Sequence, residues 1–399
     1  MRGMVAMVVA GMALLSGCGV VQYRVSVRDD GVMAMPGAYV GPAVTIPGGI
    51  VYDPHTEKVT VLPMPEGEKN LTVSGMEWSS DGKRLLVVTW NQPEPQPKPE
   101  PVKGPTIAPP VTRLWVCDEK GKNWKELAGD ASIVAMGHWS PDGKKVTFLS
   151  SDSALKMVDT ESGEVTTVLE GALAFHAWEP GGNRLAVFRA ELAESNGLDM
   201  VWMASLVTVS AGESAKAHAT ALVQGIPWVT WSNDGKSILF CAPKTQVELP
   251  MAEGTLAADR KRKLSEPMLF SMTVGSGETR QLSKKKILYA VESPDGKHIV
   301  FVESAGRGRT KVGVMNSDGR GARSLDEGVR TSENEVWAGV FAQPVWLSNT
   351  RVQYYQAEMV AGQPRGMVLA VDIDGKNKED LGAKIVKLAE KVAGEQEKK

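Results

Sequence analysis

Met76-Glu77-Trp78-Ser79-Ser80-Asp81-Gly82-Lys83 reads as a strand end, a large aromatic and a tight polar turn, and the chain repeats it. It returns as Gly137-His138-Trp139-Ser140-Pro141-Asp142-Gly143-Lys144, as Ala177-Trp178-Glu179-Pro180-Gly181-Gly182-Asn183, as Thr230-Trp231-Ser232-Asn233-Asp234-Gly235-Lys236, and as Val345-Trp346-Leu347-Ser348-Asn349. A sixth copy, Glu292-Ser293-Pro294-Asp295-Gly296-Lys297, keeps the turn but carries Glu292 at the tryptophan position. Aspartate in such a turn accepts from nearby backbone amides, and glycine adopts positive φ with no Cβ to clash. Asp81, Asp142, Asp234 and Asp295 are therefore read as turn formers. Alternating runs after the turns, such as Arg84 to Thr89 and Ser237 to Phe240, read as strands, so each unit is a hairpin. Five of the eleven tryptophans, Trp78, Trp139, Trp178, Trp231 and Trp346, fall on one position of the repeat. A flat indole there packs between neighbouring sheets while its N–H finds an acceptor at the edge.

A second hairpin follows each of these, recognisable by its turn, as in Leu114 to Leu127, Leu155 to Leu169, Leu269 to Leu282, Val312 to Leu325 and Val368 to Leu381. Two hairpins make a four-stranded antiparallel blade, and blades at this spacing make a β-propeller. Ser-x-Asp-Gly-Lys behind a tryptophan, together with Val314-Met315-Asn316-Ser317-Asp318-Gly319, resembles the WD-like propeller repeat of the TolB family and of prolyl-oligopeptidase propellers. The second resemblance implies an α/β-hydrolase domain with a Gly-x-Ser-x-Gly elbow, and no such motif occurs. The first implies an α/β domain ahead of the propeller, for which residues 19–46 are too few, so the match covers roughly residues 70–382.

At the front, a hairpin from Ile50 to Leu62 precedes the first tryptophan unit and needs an inner partner, since a lone hairpin has little stability. Val25 to Met35 supplies one, with Val27 at the tryptophan position and Asp30-Gly31 in the turn. Anchors at 27, 78, 139, 178, 231, 292 and 346 give an all-β fold of seven blades. Six, which the TolB resemblance implies, is the alternative.

Residues 1–17 read as a signal peptide, with Arg2, an apolar run from Met4 to Leu15, and small residues before Cys18. Leu15-Ser16-Gly17-Cys18 resembles the lipobox of bacterial lipoproteins, which implies diacylglycerol on the Cys18 sulfur and cleavage before it. Gly19 stands where aspartate would be the inner-membrane retention signal, so the resemblance favours the outer membrane, facing the periplasm. Residues 18–22 are then a lipidated tether, 23–382 the propeller and 383–399 a helical tail.

A formal net charge of -2 and a pI near 6.3 disfavour nucleic acid as a partner. The proline-rich run Asn91 to Pro101 reads as an extended loop, and Asp259 to Lys263 as a solvated basic stretch. Cys117 and Cys241 sit in apolar runs and read as small buried hydrophobes. Near the inner hairpins stand Glu77, His138, His176 and Glu292, the candidates for chemistry at the channel mouth. His138 and His176 lie one and two residues before their tryptophans, so along a strand they point to opposite faces, which breaks the symmetry expected of a shared metal ring. No metal or cofactor is called for, and no catalytic residue is assigned. The reading is an envelope lipoprotein, held to membrane lipid through Cys18, whose propeller is a platform for envelope proteins or a ligand. The alternative is a propeller-type hydrolase or lyase acting on a glycan or peptide.

Overall fold

The structure, a computed structural model, describes residues 25–36, 48–68, 71–91, 111–131, 137–196, 199–224, 227–242, 267–306, 309–326, 343–360 and 363–396. Cys18 with its leader, most of the proline-rich run and the basic stretch lie outside them.

Seven four-stranded antiparallel sheets follow one another along the chain as blades spanning 26–61, 71–131, 138–169, 172–224, 228–281, 287–326 and 345–380. The ring therefore has the seven blades expected from the anchors. In every blade the strands pair in simple sequence order, from the inner strand outward. No described strand is shared between the first and the last blade.

In the second, fourth, fifth and sixth blades the second strand carries a continuous apolar run of at least four residues because both of its faces are buried there. In the strand Arg84–Asn91, Leu85 and Val87 pack towards the first blade with Ala34 and Met76, while Leu86 and Val88 pack towards the third with Val146 and Phe148. Side chains alternate across a strand, so one strand serves two interfaces. Leu185 and Val187 against Ala186 and Phe188 repeat the arrangement in the fourth blade. Each such side chain, fully buried, contributes about 1.5–3 kcal/mol.

The repeated turn is a closed hydrogen-bond unit. Asp81 Oδ1 accepts from the Ser79 hydroxyl at 2.6 Å and from the Lys83 amide at 3.1 Å, and Gly82, at φ 66°, returns its amide to the Ser79 carbonyl. Asp142, Asp234 and Asp295 make the same pair of contacts with Ser140 and Lys144, Ser232 and Lys236, and Ser293 and Lys297. In the first blade the turn is shorter, with Asp30 accepting from the Val32 amide at 3.2 Å and pairing with Arg28.

A helix, α1 (Leu381–Gln396), begins two residues before the expected tail, where the Asp380 carboxylate accepts the Ala383 amide at 2.9 Å as an N-cap. Its buried residues Leu381, Ile385 and Ala389 join one cluster with Met33, Ile50 and Tyr52 of the first blade and Val368 and Ala370 of the seventh. The helix thus covers the joint between the first and seventh blades. Lys384 adds an ion pair to Glu57 at 2.7 Å.

Candidate functional site

The anchor residues of blades two to seven tie each of these blades to the one before it. Trp139 Nε1 donates to the Glu77 carbonyl at 3.2 Å, Trp231 Nε1 to that of Ala177 at 3.1 Å, and Trp346 Nε1 to that of Val291 at 3.1 Å. In these three the acceptor is the residue just ahead of the preceding anchor. Trp178 instead donates to the Thr147 hydroxyl at 3.0 Å, which lies 3.3 Å from the His138 carbonyl. Trp78 stands at the same place in the second blade, its amide donating to the Ser26 hydroxyl at 3.1 Å. Glu292, at the sixth anchor, accepts the Asn233 amide at 2.7 Å in the neighbouring turn, and burial raises its carboxyl above the usual range.

The residue before each anchor borders the ring axis. There a cavity of about 420 Å³ is lined from all seven blades by that one position: Ser26, Glu77, His138, Ala177, Thr230, Val291 and Val345. The lining is not uniform. Blades two to four supply Glu77, His138 and His176, with His138 Nδ1 3.8 Å from Glu77 Oε1 and the two imidazoles edge to face at 4.7 Å. His176 Nε2 lies 3.0 Å from the Thr147 hydroxyl. Blades five and six supply aromatic surface, Trp228 against Tyr289 at 4.2 Å between ring centres, with Phe175 edge-on behind Trp228 at 4.6 Å. The Trp228 N–H donates to the Ala290 carbonyl at 2.8 Å and the Tyr289 hydroxyl to that of Pro344 at 3.2 Å, so both rings are fixed.

Three of the four candidates therefore converge, and Glu292 is not part of the cavity lining. His138 and His176 nevertheless meet. They do stand on opposite faces of their strands, as alternation requires, but the front of the third blade packs on the back of the fourth. Opposite faces of neighbouring blades are the ones that meet. Trp228, Tyr289 and Gln343 escaped the reading of single repeats. Each lies three residues before its anchor, a signal visible only when the copies are aligned on that position.

A carboxylate and two imidazoles opposite a fixed aromatic wall can hydrogen-bond one side of a ligand while stacking against the other. Among the described residues no three His, Cys, Asp or Glu side chains are grouped to hold a metal ion. Cys117 and Cys241 are buried and unpaired, and burial pushes the Cys117 thiol up to about 12 and the Cys241 thiol upward as well, which keeps both unreactive. No described helix is long and apolar enough to cross a membrane.

No protein-family model matches the chain, and no curated protein matches it in sequence. Among solved structures it is similar to oligogalacturonate lyase from Vibrio parahaemolyticus, with a TM-score of 0.53 at 10% identity over 83% of each chain. The GH74 enzyme of Niastella koreensis gives 0.53 at 11% identity, over 90% of this chain and 53% of that one. TolB from Acinetobacter baumannii gives 0.45 at 15% identity, over 89% of this chain and 77% of that one. At these identities the likeness is one of fold.

Proposed function

We propose that the chain is a lipid-anchored protein of the cell envelope whose propeller is a binding platform, with the cavity on the ring axis as the seat of a ligand. The observation that carries the reading is the division of that cavity into a polar sector, Glu77, His138 and His176, and an aromatic sector, Trp228 and Tyr289. A ring that only closed on itself would need no such asymmetry. Leu15-Ser16-Gly17-Cys18 supports the anchor, and with Gly19 it supports the outer membrane facing the periplasm. Other envelope proteins are the expected partners of the exposed faces.

Two measurements test this reading. Cells labelled with a radioactive or clickable fatty acid should carry label on the wild-type chain and none on Cys18→Ser, which should move from the membrane to the soluble fraction. Native mass spectrometry of the chain released from envelope membranes should find bound mass that Trp228→Ala and Glu77→Gln each reduce. Label absent from the wild-type chain defeats the anchor; retention unaltered by both axial variants defeats the seat.

The enzymatic alternative, hydrolysis or elimination on an envelope glycan or peptide, is favoured by one observation, the Glu77 carboxylate 3.8 Å from an imidazole inside the cavity. It requires turnover that Glu77→Gln abolishes while binding persists.

A further inference from the structure

At three joints between blades an arginine lies over the anchor tryptophan. The Cζ atoms of Arg28, Arg84 and Arg184 are 5.0, 4.8 and 5.3 Å from the ring centres of Trp78, Trp139 and Trp231. Arg84 and Arg184 hold the same place in the repeat, since the carbonyl of each accepts the amide of the residue that opens its turn. Arg84 also donates to the Gly143 carbonyl of the facing turn at 2.5 Å, and Arg28 to that of Gly82 at 3.1 Å. The joint is thus a receptor for a planar cation: an indole face for stacking and a turn carbonyl for its N–H.

The joint between the third and fourth blades departs from this. Lys145 stands where Arg84 stands one blade earlier, and the facing turn brings Gly181-Gly182 in place of Asp-Gly. Trp178 is left half-buried, whereas the other four anchor tryptophans are buried. No described cation stacks on it. A cavity of about 400 Å³ opens there, lined by Trp178, Asp142, Glu213, Ser210 and Lys145 among others. Two carboxylates against one ammonium leave the lining with excess negative charge, and the Ser140 hydroxyl holds Asp142 below the usual carboxylate range. Among the described residues Trp178 is the only one this cavity shares with the axial one, so the two sites are separable.

We propose that this cavity docks the guanidinium of an arginine side chain on a partner protein, which completes on Trp178 the stack that Arg84 and Arg184 make within the ring. Arginine is preferred to lysine because the planar group both stacks on the indole and bonds sideways to carboxylate and carbonyl, which a compact ammonium does not. This inference does not depend on the axial seat being occupied.

The test is a titration of the full chain, followed by the ¹⁵N-indole resonances. The Trp178 signal is identified by its loss in Trp178→Phe, and its N–H, bonded to Thr147, reports on the ring. A capped Gly-Arg-Gly peptide is expected to shift it at roughly one-fifth of the concentration needed by capped Gly-Lys-Gly. Lys145→Arg, which gives the joint its own guanidinium, should weaken the arginine peptide about ten-fold with the fold intact, and Glu213→Gln about three-fold. Free arginine should bind less well than the capped peptide, because its α-carboxylate meets Asp142 and Glu213. Equal response to both peptides, or a Lys145→Arg protein that binds like wild type, overturns the site. Free arginine binding as tightly as the peptide overturns a protein-borne occupant.

Discussion

His138 and His176 meet edge to face across the joint between the third and fourth blades, their ring centres 4.7 Å apart and their planes at 81°. Thr147, fully buried between them, holds the contact. Its hydroxyl lies 3.0 Å from His176 Nε2, 3.0 Å from Trp178 Nε1 and 3.3 Å from the His138 carbonyl. An indole only donates, so the threonine oxygen accepts from Trp178 while its proton serves a histidine. Thr147→Val keeps the shape, removes the oxygen and strands the indole N–H, a loss of about 1–3 kcal/mol. Thr147→Ser keeps the oxygen and is expected to lose less. Denaturant midpoints at constant m-value separate the two; a valine variant as stable as wild type would show that the hydroxyl holds nothing.

The repeated turn links stability to acid. The hydroxyl of the serine two residues earlier is the main reason that Asp81, Asp142 and Asp295 stay below the usual carboxylate range. Their folded pKa values are lower than unfolded ones near ~3.9, so their stabilisation is complete above that pH and is lost as pH falls through the folded values. Ser79→Ala removes the main cause at one turn and should move the acid-unfolding midpoint, followed by circular dichroism, to higher pH. An acid limb identical to wild type would detach the turn carboxylates from folding.

The inner hairpins were legible because their chemistry is local: Ser79, Asp81 and Gly82 satisfy one another within a few residues, wherever the blade lies. The axial lining was not. Ser26, Glu77, His138, Ala177, Thr230, Val291 and Val345 share a position but no chemistry, because the axis faces no packed neighbour that would constrain them. Alternation along a strand sent His138 and His176 to opposite faces correctly, yet only the ring tells which faces touch. Trp228 and Tyr289, read singly, are ordinary strand aromatics, and they become a wall only when neighbouring blades are placed side by side.

Glu292 is the one anchor position with a carboxyl, and its raised pKa carries a sign opposite to that of the turn aspartates. Burial is the main cause, and the Asn233 amide opposes it in part. The folded state holds the proton more tightly than the unfolded one, so ionisation costs stability above the folded pKa, and that cost fades as pH falls towards about 4.3. Glu292→Gln still accepts the Asn233 N–H but never ionises. It should be more stable than wild type at pH 8, with the gap closing near pH 4.5. Chemical denaturation at the two pH values measures this; a constant gap would mean that the carboxylate is not what strains the joint.

The ring's weakest place should be the joint between the first and seventh blades, because no described strand crosses there from one blade to the other and α1 stands in for it. Ile385, with no exposed surface, is wedged into the cluster that Met33 and Ile50 of the first blade share with Val368 and Ala370 of the seventh. Ile385→Ala removes that wedge at a cost of about 2–5 kcal/mol, whereas Lys384→Met, which removes the exposed pair with Glu57 and the contact with Tyr52, should cost about 0–1 kcal/mol. Size alone does not distinguish a clasp from ordinary core, but its distribution does. If α1 closes the ring, amide exchange in Ile385→Ala should accelerate first in residues 26–61 and 345–372, while the third to fifth blades keep their protection, since local opening follows local contacts. Acceleration shared evenly by all seven blades would mean that the ring opens as one unit and that the helix is core rather than clasp.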